Sequence, residues 1–139
     1  MLKKTITYKD WNDLERSEDH YFNLNKPEVV KMQASVKGGY DVQLKAIAAG
    51  MNGAGIMQFF EDLIKLSYGE KSEDGRRFMK SEEISRTFME TRAYEALFEE
   101  MITDAKAAAA FVNAIMPPDI VKQAADEVAK NSPESAATN

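Results

Sequence analysis

The apolar residues of this chain change their period at Asn25, and that change restricts the fold more than any other feature of the sequence. Upstream, Thr5-Ile6-Thr7-Tyr8 and His20-Tyr21-Phe22-Asn23-Leu24 are rich in β-branched and aromatic types alternating with polar ones, as in half-buried strands. Between them stand Asp10, Asn12 and Asp13, whose side chains bond back to their own backbone in turns. A β-hairpin over residues 1–24 is the economical reading, with Ile6 and Tyr8 sharing a face with Phe22 and Leu24. Two strands alone are marginal in water. The hairpin must therefore lie on helices or join a sheet with another chain through an exposed edge.

Downstream the apolar spacing is three and four. Asn25, Pro27 and Glu28 read as an N-cap, a first-turn proline and the acid of a capping box. The helix they open runs to about Ser35 and ends by Gly38-Gly39, and Val42, Leu44, Ile47 and Ala48 suggest a second helix ending at Gly50. Ile56, Phe59, Phe60, Leu63 and Ile64 mark an amphipathic helix stopped by Gly69. Residues 70–80 read as a polar loop with a turn at Asp74-Gly75, held to the body by Phe78 and Met79. Ser81 caps a long helix whose face carries Ile84, Phe88, Thr91, Tyr94, Leu97, Phe98 and Met101. Thr103 or Asp104 opens the next helix, which Pro117-Pro118 breaks, and a last helix from Asp119 buries Ile120, Val121, Ala124 and Val128. The predicted fold is α+β and mostly α-helical, with the N-terminal β-hairpin (1–24) followed by about five to six helices (25–130) in a single domain. Residues 131–139 form a flexible, solvated tail.

Such a domain has a thin core. Leu, Ile, Val and Phe make up only 29 of 139 residues, while 18 are alanine and 8 are methionine. Much of the apolar content is thus shallow or deformable. With no cysteine, disulfides, thiolate metal sites and cysteine nucleophiles are excluded. No run approaches the ~20 apolar residues that span a membrane, and the basic pair Lys3-Lys4 is not followed by an apolar signal segment. A net charge of −5 argues against a broad nucleic-acid face, and the densest basic spot, Arg76-Arg77, is preceded by Glu73 and Asp74.

The candidate reactive groups are few. His20 is the single histidine and shares its strand face with Glu18, not Asp19; without a nucleophile or orienting motif it reads as a hairpin residue at or near the surface. Gly50-Met51-Asn52-Gly53-Ala54-Gly55 follows a helical segment and lacks the lysine of a phosphate loop, so it reads as a helix-to-helix connection. A calcium loop centred on Gly75 would place Ser81 where the closing glutamate belongs. Glu82-Glu83 and Glu99-Glu100 point apart on their helices and read as solvated faces. No cofactor, metal or catalytic residue is expected.

Several local patterns, taken in order, resemble the small tail assembly chaperones of long-tailed bacteriophages and prophages of Gram-positive hosts. They are Thr5 to Tyr8 with Glu15-Arg16-Ser17-Glu18 and Tyr21 to Leu24, Ser67-Tyr68-Gly69-Glu70-Lys71-Ser72 with Asp74 to Phe78, Phe88, Thr91, Ala93-Tyr94 and Leu97-Phe98, and finally Ala110 to Pro117. The chain departs from the family where Asn12-Asp13 and Ala114 stand in place of frequent glycines. The resemblance implies a non-catalytic protein that holds the long, aggregation-prone tape measure protein soluble in the host cytoplasm until tube subunits polymerise around it, and that is absent from the mature virion. It also implies, in many relatives, a longer frameshifted form that recruits the tail tube protein. A homo-oligomer is a further possibility; nucleic acid and membrane are not expected partners. A holdase needs adaptable apolar anchors, for which Met101, Phe111, Ile115 and Met116 are the candidates, with Met89 also suited. Core packing is the preferred reading of the stretch from Ala107 to Met116, and partner binding through these side chains is the minority one. The competing reading of the chain is a structural tail component, a tube or adaptor subunit, which should be dominated by strands.

Overall fold

A computed structural model describes residues 1–35 and 54–118. The helices expected over 42–50 and from Asp119, and the tail 131–139, lie outside the described residues. The observed class is α+β, with an N-terminal hairpin followed by five described helices.

Strands β1 (Leu2–Lys9) and β2 (Glu15–Phe22) pair antiparallel from Leu2 opposite Phe22 to Lys9 opposite Glu15. The even-numbered residues of both strands therefore share one face, and Ile6, Tyr8 and Phe22 come together on it as expected. The other face carries polar pairs, including Thr5 Oγ1 donating to Asp19 Oδ1 at 2.6 Å. The hairpin loop is organised by Asp10, whose Oδ1 accepts from the amides of Asn12 and Leu14. Asp13 sits there at φ 61°, a left-handed conformation that glycine adopts freely and Asp tolerates.

Asn25 caps α1 (Lys26–Ser35) reciprocally: its Oδ1 accepts from the Glu28 amide while Glu28 Oε1 accepts from the Asn25 amide, each at 2.9 Å. Helix α2 (Ala54–Ser67) runs directly into β3 (Tyr68–Lys71), which pairs with the end of β2 and, on its other side, with β4 (Phe78–Met79). The sheet order is β1-β2-β3-β4, antiparallel throughout. Two expectations are corrected here. Residues 70–80 are not simply a polar loop but the turn and flanks of a second hairpin, and Gly69 lies inside a strand instead of stopping a helix. Strands of four and two residues are too short to show alternation. Their pairing is set by the edge that β2 offers.

The long helix expected from Ser81 is two helices, α3 (Glu82–Met89) and α4 (Arg92–Thr103). Thr91 divides them: its hydroxyl donates to the Phe88 carbonyl at 2.6 Å and accepts from the Tyr94 amide, in extended geometry. A side chain that competes for backbone partners breaks the helix without disturbing its apolar period. Asp104, not Thr103, caps α5 (Ala105–Ile115) by accepting from the amides of Lys106 and Ala107. Helices α4 and α5 pack on β1, and α3 packs on β3. The chain after β2 is strapped across the helices, since the Asn23 amide donates to the Ser67 carbonyl and the Leu24 amide to the Ile115 carbonyl, both at 2.8 Å. Lys80 closes the same corner by donating to the Asn23 carbonyl and to both Glu28 carboxylate oxygens.

Close approach at the β2–β3–β4 junction requires glycine. A Cβ on Gly69 would lie 2.7 Å from the Phe78 ring and 2.9 Å from the Met79 carbonyl oxygen. Gly69→Ala should cost about 1–3 kcal/mol, the usual range for overpacking. A lower urea midpoint at unchanged slope is the expected result.

Candidate partner-binding surface

Met101 on α4, Phe111 and Ile115 on α5, and Met116 after it are 2, 4, 0 and 4 % exposed, so none is a surface residue. Helical spacing puts Ala108, Phe111, Val112 and Ile115 inward, while Ala110, Asn113 and Ala114 face solvent. A chain with few large aliphatic side chains commits those of α5 to its core. As placed, the four hold α4 and α5 in position; a partner would meet the surface they support.

That surface is legible on α4. Ala93, Leu97 and Met101 recur every fourth residue and are buried. One residue further round, Tyr94, Phe98 and Ile102 form a second row that packs on the core with one side and stays half-exposed on the other. Tyr94 and Phe98 have ring centroids 5.9 Å apart. A third row holds the exposed Glu95 and Glu99. Met89, before the helix break, extends the second row, and the hairpin tip closes its end: Trp11, 70 % exposed, donates through Nε1 to the Glu90 carbonyl at 3.1 Å. Together these residues line a shallow trough of about 350 Å³. The Arg92 guanidinium lies over the Trp11 ring, 5.3 Å from its centroid, and reaches Asp13 at 3.7 Å. Among the described residues, Glu90, Glu95 and Glu99 form no ion pair. A larger depression of about 780 Å³, bordered by Met32, Phe59, Leu63 and Leu66, carries charges of both signs, among them Lys31, Asp62, Lys65 and Glu82.

Sequence reasoning missed Trp11, Glu90 and Ile102. The available signals were a lone tryptophan in a polar turn and an apolar stripe on α4 wider than one buried row needs.

His20 is half-buried near the surface, where Phe88 of α3 comes down over β2. Its ring lies 5.1 Å from that of Phe88 and 6.2 Å from that of Tyr68, and among the described residues its buried Nε2 has no hydrogen-bond partner. Burial favours the neutral imidazole and lowers its pKa, against the opposing pull of Glu18 and Asp19. On the same face Lys4 stands opposite His20 but is paired with Glu100 of α4 at 3.0 Å. Glu18 accepts from the Tyr8 hydroxyl at 2.5 Å, and burial followed by this bond pushes the Tyr8 phenol up to about 12. These groups form a packed sheet face under α3 and α4.

A lowered histidine pKa has a signed consequence. Below the ordinary value of 6.5 the unfolded chain binds a proton that the folded chain resists, so stability present above that pH falls as pH drops toward the folded pKa. The carboxylates with resolved shifts, Asp10, Asp19 and Asp74, all move lower and titrate outside this window. Urea midpoints should therefore fall from pH 7.5 to pH 5.5, and His20→Phe should remove most of that fall. An unchanged slope in the variant would contradict the assignment.

No curated protein and no solved structure matches this chain. A family model described as phage tail assembly chaperone matches residues 1–139, which is the full length of the chain. This match agrees with the resemblance carried by the Ser67 to Phe78 and Ala110 to Pro117 patterns. The chain belongs to the phage tail assembly chaperone family.

Proposed function

We propose that this protein binds the tape measure protein of its phage, keeps it soluble in the host cytoplasm while the tail tube assembles, and leaves before the virion is complete. Membership of the tail assembly chaperone family is the observation that carries this reading. The physical features are compatible with it. A chain with a net charge of −5 resists self-association when many copies line a long client. Many weak sites along such a client add up to secure but reversible holding. Among the described residues no helix is long and apolar enough to cross a membrane. The role is non-catalytic, and a longer frameshifted form would bring tube subunits to the held client.

A tube or adaptor subunit is the competing role. It is less well supported, because two of the four strands are only four and two residues long and helices supply most of the described fold. Co-expression decides between them. Tape measure protein that pellets alone should become soluble with this chain, in a complex holding many copies per client, and purified virions should lack the chain. No gain in solubility, or stoichiometric presence in virions, would contradict the proposal.

A further inference from the structure

The outer row of α4 packs on the core with one side only and leaves its other side open. Ala93, Leu97 and Met101 already bury one side of the helix, whereas Tyr94 and Phe98 keep an open side beside Trp11. A trough of about 350 Å³ falls near the small end of the ~300–1,000 Å³ typical of ligand pockets. It is open along a helix and suits a row of side chains from another helix better than an enclosed small molecule. Its rim has one sign. Glu90, Glu95 and Glu99 make no ion pair among the described residues, no Lys or Arg lines the trough, and Arg92 is engaged by the Trp11 ring and Asp13.

We propose that this trough docks one amphipathic helix whose apolar stripe is flanked by lysine or arginine. The inference rests on the client-holding reading and names the class of client segment recognised. Tyr94, Phe98 and Trp11 would receive anchors spaced three and four residues apart, the pattern of helix-in-groove recognition. The three carboxylates select the flanks, since opposite charges at a rim speed encounter and like charges reject wrong partners. The same rim argues against a second copy as the occupant. Two copies meeting symmetrically through this trough would set Glu90, Glu95 and Glu99 against themselves.

The full chain provides its own probe, because Trp11 is its only tryptophan. A synthetic helical peptide with leucine at three- and four-residue spacing and lysine flanks should bind saturably by anisotropy and shift the Trp11 emission. A twin peptide with glutamate flanks should bind at least about tenfold more weakly. The double variant Glu95→Lys/Glu99→Lys alters two exposed side chains, so its fold should persist by circular dichroism while its preference between the two peptides reverses. Equal affinity for the peptides, binding without a change at Trp11, or an unaltered preference in the variant would overturn the proposal. Co-expression with the tape measure protein separates the two levels. If the wild-type chain fails to hold that protein, the client reading fails. If wild type and charge-reversed chain hold it equally, the trough is not the site although the client reading stands.

Discussion

Phe22 is the contact on which the described fold turns. It ends β2 fully buried, and its ring lies 5.5 Å from Tyr68, 5.7 Å from Phe88 and 5.2 Å from Phe111. One side chain thus joins the N-terminal hairpin to the second hairpin, to α3 and to α5. Burying a phenylalanine contributes roughly 1.5–3 kcal/mol, and each aromatic pair adds about 0.5–1.5 kcal/mol beyond area. These amounts are large against the marginal stability of an isolated hairpin. Tyr68 and Phe88, stacked at 4.2 Å, complete the wedge and enclose His20. Ion pairs such as Lys3–Asp19 are exposed and contribute little by comparison.

Because α3 and α5 are fixed by this wedge, α4 is held along β1 with a defined rotation. Its inner row fills the space between sheet and helices, and Lys4 on β1 pairs with Glu100 on its flank. The outer row is then presented by a braced helix, not by a loose loop. Such support lowers the ordering cost of binding. The break at Thr91 contributes as well, since it leaves the Glu90 carbonyl available to the Trp11 indole and so brings the hairpin tip to the end of the same trough.

Much of this was legible in the sequence where a signal repeats or a cap is local. The even-residue face of the hairpin, the Asn25–Glu28 capping box and the stop at Pro117-Pro118 are of that kind. Strands β3 and β4 were not legible because pairing with β2, not their own pattern, defines them. Thr91 preserved the period it interrupts. The core packing preferred for Phe111 and Ile115 is what the structure shows, but periodicity identifies only the apolar face and not what covers it. The trough falls between these cases: Tyr94 and Phe98 were visible as part of a helical face, but their separation from Leu97 and Met101 into an outer row depends on how α4 is rotated.

If the inner row of α4 maintains the fold while its neighbour grips the client, the two rows must respond differently to binding. Amide hydrogen exchange on the free chain and on its complex with the tape measure protein tests this most directly. Exchange should slow in the complex over 90–103 and over the hairpin tip at 10–15, with the buried face of α5 little changed. Unaltered exchange over both segments, with new protection confined to α1 and α2, would contradict it.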